Sequence, residues 1–145
     1  MSATTDVPCP HCGSLNRVPT ERLADKPSCG HCKQKLFEGR AMELDAARFD
    51  KVALRGDLPV LVDFWATWCA PCRSFAPVFA EAAQQWEPKV RFAKVDVDAQ
   101  QDLAQRYRVQ SIPTLLVFRS GNETARQIGA TTATQLRRFI EASLR

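Results

Sequence analysis

With 145 residues, 45% apolar and 25% charged, the chain has room for one domain of ordinary size plus a small appendage, and its composition is that of a folded globular protein. No run of ~18 uninterrupted apolar residues occurs, and the opening Met-Ser-Ala-Thr-Thr-Asp has neither a basic start nor an apolar segment, so a membrane span and a secretory signal are not expected and the expected location is cytoplasmic. The net charge of +4 raises nucleic acid as a partner, but residues 1–40 carry a surplus of only +2 and a single aromatic residue, Phe37, which argues against such a role.

Residues 1–40 come first along the chain, rich in Pro, Gly, Ser and Asn and without helical or strand periodicity. They hold four of the six cysteines as C-x2-C-x16-C-x2-C: Cys9, Cys12, Cys29 and Cys32. That spacing suits two knuckles gripping one tetrahedral, structural Zn²⁺ through four thiolates, and a metal can replace the apolar core that ~40 residues struggle to build. Four cysteines complete such a site, which leaves His11 and His31 as exposed knuckle residues. A competing reading is that Cys29-Gly30-His31-Cys32 is similar to the active site of disulfide isomerases; against it, no apolar strand precedes the pair and no apolar helix follows.

The pattern turns regular at Leu44, which places a boundary near Arg40, with a zinc-ribbon-like module over 1–40 and a larger domain over 41–145. Asp45 is a candidate N-cap with Leu44 and Phe49 as a hydrophobic staple, predicting a helix over about 46–54. Pro59–Trp65 reads as a strand covered on both faces. The helical spacing of Phe75, Val78, Phe79, Ala82, Ala83 and Trp86 predicts a helix over 70–86, kinked at Pro77. A strand over 90–96, a short helix over 100–108 and a strand over 114–118 follow. Ser120-Gly121-Asn122 then makes a hairpin turn into a return strand over 124–128, and Thr132-x-x-Gln135 is a capping box for a last helix. This order predicts an α/β fold, a mixed sheet with helices on both faces.

The remaining cysteines, Cys69 and Cys72, stand where the buried strand gives way to a helix. Residues three apart on a helix share a face and can close a disulfide with little backbone movement. The helix start favours a thiolate on Cys69, the expected nucleophile, while Cys72 resolves the mixed disulfide. Pro71 fits the first turn and Arg73 adds positive charge. Read by themselves, the two cysteines could also be small buried apolar residues or half of another metal site.

Val62-Asp63-Phe64-Trp65-Ala66-Thr67-Trp68-Cys69-Ala70-Pro71-Cys72-Arg73, followed by Pro77, Ala93-Lys94-Val95-Asp96, Ile112-Pro113-Thr114, Gly121 and Ile128-Gly129-Ala130, resembles the thioredoxin family over nearly all of residues 41–145. With the four N-terminal cysteines added, the whole chain resembles its bacterial zinc-containing thioredoxin 2 branch. The resemblance implies a thioredoxin fold and a protein-disulfide reductase whose Cys69–Cys72 disulfide is restored by an NADPH-dependent thioredoxin reductase, in a protein expected to be a monomer. It implies that Asp63 moves protons to and from Cys72 with Lys94 as its partner, and that Pro113 is the family's cis-proline. Trp68, Ile112, Gly129 and Ala130 would form the apolar surface on which protein substrates dock.

Residue by residue, alternatives stay open: Asp63 could cap adjacent structure or face solvent, Pro113 could simply start a strand, and Trp68 and Ile112 could be core. Trp65 is expected to pack against the active-site loop. The chain departs from the family pattern at Ala70, where glycine is usual, and at Arg73, where lysine is usual. Two other functions compete: a zinc-ribbon adaptor whose larger domain only docks partners, and a disulfide isomerase or oxidase, which shares the motif and differs in redox potential.

Overall fold

The structure, a computed structural model, describes residues 3–145; Met1 and Ser2 of the expected 1–40 module lie outside the described residues. Strands β1 (Thr4–Pro8) and β2 (Leu15–Pro19) pair antiparallel. A second sheet follows, built from β3 (Met42–Glu43), β4 (Val60–Trp65), β5 (Arg91–Asp96), β6 (Thr114–Arg119) and β7 (Asn122–Ile128) in the spatial order β3-β5-β4-β6-β7. The first three strands in that order run parallel, and β6 runs antiparallel to both of its neighbours, β4 and β7. The helices are α1 (Ala46–Arg48), which widens into a π turn over Phe49–Ala53, α2 (Ala70–Trp86), α3 (Gln101–Arg106) and α4 (Ala133–Ser143).

Period-two alternation splits the strands between two cores. Val60, Val62, Phe64, Ala93 and Val95 face one side and pack with Phe49, Val52 and Leu103, where Phe49 meets the Phe118 ring edge-on at 5.4 Å. Leu61, Phe92, Leu115 and Val117 face the other side, under Phe75, Phe79 and Ala83 of α2 and Leu136 and Ile140 of α4. Each buried phenylalanine contributes about 1.5–3 kcal/mol through removal from water. Pro77 stands inside α2 without ending it, and the Thr132–Gln135 capping box is present with both hydrogen bonds.

Three features differ from expectation. The β1–β2 hairpin is not legible in the sequence because β1 buries Thr5 and Pro8 beside Val7 and β2 buries only Val18, which leaves little apolar alternation to detect. β3 has two residues, too few for any period, and β7 starts at Asn122, opposite Arg119, because the turn needs only Ser120 and Gly121, both at positive φ.

Arg91 joins the β1–β2 unit to the larger sheet. Although 2% exposed, it donates from Nη1 to Pro8 O (2.7 Å) and from Nη2 to Leu36 O (2.8 Å), and its guanidinium lies over Phe37. Burial lowers its pKa to about 10, and nearby Glu87, which accepts a bond from Gly39 N, is raised by its own burial to about 7 against the pull of Arg91. A second seam runs from Asp57 to Asp6, with bonds of 2.9 and 2.7 Å, beside Gly56 at φ +90, where a Cβ would lie 2.6 Å from the Pro8 ring.

Candidate functional site

β4 delivers the chain to a tight turn, Ala66-Thr67-Trp68, and Cys69 then caps α2: its extended backbone precedes the first helical turn and its Sγ accepts from Cys72 N at 3.2 Å. Cys69 and Cys72 are joined as a disulfide with Cα atoms 5.2 Å apart, and at 4% and 2% exposure both lie against Ala66, Trp65, Val97 and Ile112. Pro71 sits in the first turn, where no backbone donor is needed, and Arg73 braces the loop by donating to Thr67 O at 2.9 Å.

The Ile112–Pro113 bond is cis, and Ile112 O lies 3.7 Å from Cys69 Sγ. Gly129, at φ +97, donates its amide to Pro113 O at 2.8 Å, which holds the end of β7 beside the same loop, with Ala130 next and exposed. Trp68 is 66% exposed rather than core, and its indole N–H is anchored to Asp98 at 2.7 Å. Ile112 is half-buried. Trp65 packs on the cysteine loop as expected. Asp98 was missed by sequence reasoning; nothing around it marks a partner thirty residues away.

Asp63 lies on β4 in register with Lys94 of β5. Its carboxyl is 1% exposed and Oδ1 has no hydrogen-bond partner among the described residues. Burial pushes its pKa from 3.8 to about 7, with Lys94 pulling the other way, so the group can hold or release a proton near neutrality. The Lys94 ammonium rests over the Trp65 ring, 4.1 Å from its centre.

In the N-terminal unit the sulfurs of Cys9, Cys12, Cys29 and Cys32 all lie within 4.8 Å of one another, with Cys9–Cys32 and Cys12–Cys29 at 3.6 Å. A tetrahedral ion with metal–sulfur bonds of about 2.3 Å needs sulfurs about 3.8 Å apart, so the four residues fit one. The two knuckles repeat each other: Cys9 N bonds Ser14 O and Gly13 N bonds Cys9 O, as Cys29 N bonds Gln34 O and Lys33 N bonds Cys29 O. His11 N and His31 N point at the first sulfur of each knuckle, at 3.4 and 3.3 Å.

Burial raises the Cys9 thiol to about 12. At Cys29 burial also acts upward, but bonds from Cys32 N, the Asn16 amide and His31 N prevail and bring it to about 5. The His11 ring is engaged by Glu38 and the His31 side chain is exposed, so neither imidazole joins the sulfur cluster. Cys29 and Cys32 stand in a knuckle, not at a helix start, so the pair lacks the setting that Cys69 has at the start of α2.

Residues 40–142 match the family model described as thioredoxin, and residues 8–34 match one described as thioredoxin 2, N-terminal. The chain is 43% identical over 136 residues to "Thioredoxin C-3" of Corynebacterium nephridii, an alignment covering 94% of this chain and 93% of that protein. It is 42% identical to "Thioredoxin" of Pseudomonas aeruginosa, over 68% of this chain and 91% of the relative, and 42% identical to "Thioredoxin 1" of Nostoc sp., over 72% and 97%.

Proposed function

Because this chain belongs to the thioredoxin family and is a disulfide oxidoreductase working through Cys69 and Cys72, we propose that it runs in the reducing direction on protein disulfides by the following cycle. The observation that carries the reading is a dithiol pair at the start of α2 with an exposed indole at its rim and a buried acid on the preceding strand. The Cys69 thiolate, favoured by the N–H groups of the first turn, attacks one sulfur of a substrate disulfide, forming a mixed disulfide and releasing the other sulfur as a thiolate. Cys72 then gives its proton to Asp63 and attacks Cys69 Sγ. The second substrate thiolate leaves, and the Cys69–Cys72 disulfide forms. The substrate has gained two electrons, and the pair has lost two.

Lys94 steadies the Asp63 carboxylate while it is charged. Trp68, Ile112, Gly129 and Ala130 offer the docking surface, and Pro113 holds the Ile112 backbone toward the substrate strand. Reduction of the Cys69–Cys72 disulfide is assigned to an NADPH-dependent thioredoxin reductase, and the cycle to a cytoplasmic monomer. Residues 1–40 are assigned as a structural zinc module and 41–145 as the catalytic domain; Cys9, Cys12, Cys29 and Cys32 would hold one Zn²⁺, which supplies folding stability.

The test is insulin reduction by the full chain beside Cys69→Ser, with metal content measured on both samples. Cys69-dependent turnover and about one zinc per chain are expected. Turnover unaffected by the substitution, or an adaptor's absence of turnover, would remove the cycle; metal-free protein whose N-terminal thiols cycle with substrate would remove the zinc assignment.

A further inference from the structure

Three charged groups stand in one row across the sheet. Glu43 of β3 is in register with Lys94 of β5, and Lys94 is in register with Asp63 of β4. Both pairings are parallel, so the three side chains leave the same face, running from exposed Glu43 through half-buried Lys94 to buried Asp63. An open cavity of about 450 Å³ lies on this face, lined by Glu43, Asp45, Trp65, Lys94, Asp96 and Gln100 among others.

The other two carboxylates lining that cavity are already committed. Asp96 accepts from Asp98 N and Ala99 N, and Asp45 accepts from Arg48 N as the cap of α1. Glu43 makes no hydrogen bond or ion pair among the described residues. The Lys94 ammonium, held over the Trp65 ring, is bonded to neither Glu43 nor Asp63. One cation therefore faces two unpartnered carboxyl groups, one wet and one dry.

We infer that Glu43 is a positioning residue for the reaction: it competes with Asp63 for the Lys94 ammonium and so governs how readily Asp63 takes and returns the Cys72 proton. The inference rests on the proton-transfer role proposed for Asp63. While Asp63 holds a proton, Lys94 turns to Glu43. As Asp63 loses it, Lys94 is drawn back toward the buried carboxylate. Glu43 thus weakens the help that Asp63 receives from its cation and keeps the buried acid from ionising too easily. Cys69 and Cys72 at the start of α2, Asp45 and Asp96 around this cavity, and Arg40, Arg48 and Glu38, which share a second cavity with Glu43, also stand near the row.

The experiment follows the Asp63 carboxyl by carbon NMR in the reduced full chain as pH is varied, in wild type, Glu43→Gln, Lys94→Gln and the double variant. Glu43→Gln is expected to lower the Asp63 midpoint by about half a pH unit, the scale of a partly exposed ion pair, and Lys94→Gln to raise it. In the Lys94→Gln background the Glu43→Gln shift should fall to less than half, because the shared cation is gone. An unmoved midpoint in Glu43→Gln, or an equal shift with and without Lys94, overturns the inference. Failure of the underlying reading is seen separately: if Asp63→Asn leaves the pH profile of insulin reduction unchanged, Asp63 is not the proton acceptor, while the NMR midpoints still report whether Glu43 and Lys94 are coupled.

Discussion

Replacing Asp63 by Asn keeps the shape of the side chain and removes its charge. Folding carries the Asp63 pKa from 3.8 to about 7, because burial disfavours the carboxylate more than Lys94 favours it. Well below pH 3.8 both folded and unfolded chains hold the proton and no stability is lost. Between pH 4 and 7 the unfolded chain releases it while the native state retains it, so wild-type stability declines as pH rises. Above pH 7 the whole difference of about three units, about 4 kcal/mol, is in place. That is a large part of the ~5–15 kcal/mol by which domains are stable. Urea unfolding of both proteins in the oxidised form, at pH 4 and pH 8.5, should therefore find Asp63→Asn more stable by about 4 kcal/mol at the higher pH and by less than ~1 kcal/mol at the lower. A stability difference that stays the same at both pH values would refute the reasoning, since only a group titrating between them can open the gap.

Arg91→Ala removes two charge-assisted hydrogen bonds to Pro8 O and Leu36 O and leaves Glu87 without its cation. A loss of about 3–5 kcal/mol in urea unfolding is expected, together with faster proteolysis within residues 1–40. Lys33 and Gly13 occupy equivalent knuckle positions at φ +69 and +77, but only glycine adopts that conformation without strain. Lys33→Gly should raise the stability of the N-terminal unit by about 0.5–1 kcal/mol and slow metal loss to a chelator, whereas Gly13→Ala should do the reverse.

What could be read in advance was whatever the chain states locally. The four-residue spacing of Phe75, Phe79 and Ala83 announces α2, Thr132 and Gln135 announce the start of α4, and Cys69 and Cys72 carry their chemistry within four residues. What stayed hidden depends on partners far apart in sequence. Trp68 finds Asp98 thirty residues on, and Arg91 finds Pro8 and Leu36 at separations of 83 and 55. An arginine opening a strand in Val90-Arg91-Phe92 reads as a solvent-facing alternation, and only the docked N-terminal unit covers it. Glu43 was equally silent, because its meaning comes from strand register and β3 is two residues long.

β7 closes the sheet on one side, and among the described residues its outer row of backbone groups has no neighbouring strand, an open template for pairing with another chain. Arg126 guards it: the guanidinium is tied to Glu123 at 2.9 Å and reaches Tyr107 O at 2.6 Å, which keeps charge along the margin. Charge on this margin disfavours the addition of a foreign strand, so protection of the sheet edge sits on the same strand that ends at Ile128, next to Gly129.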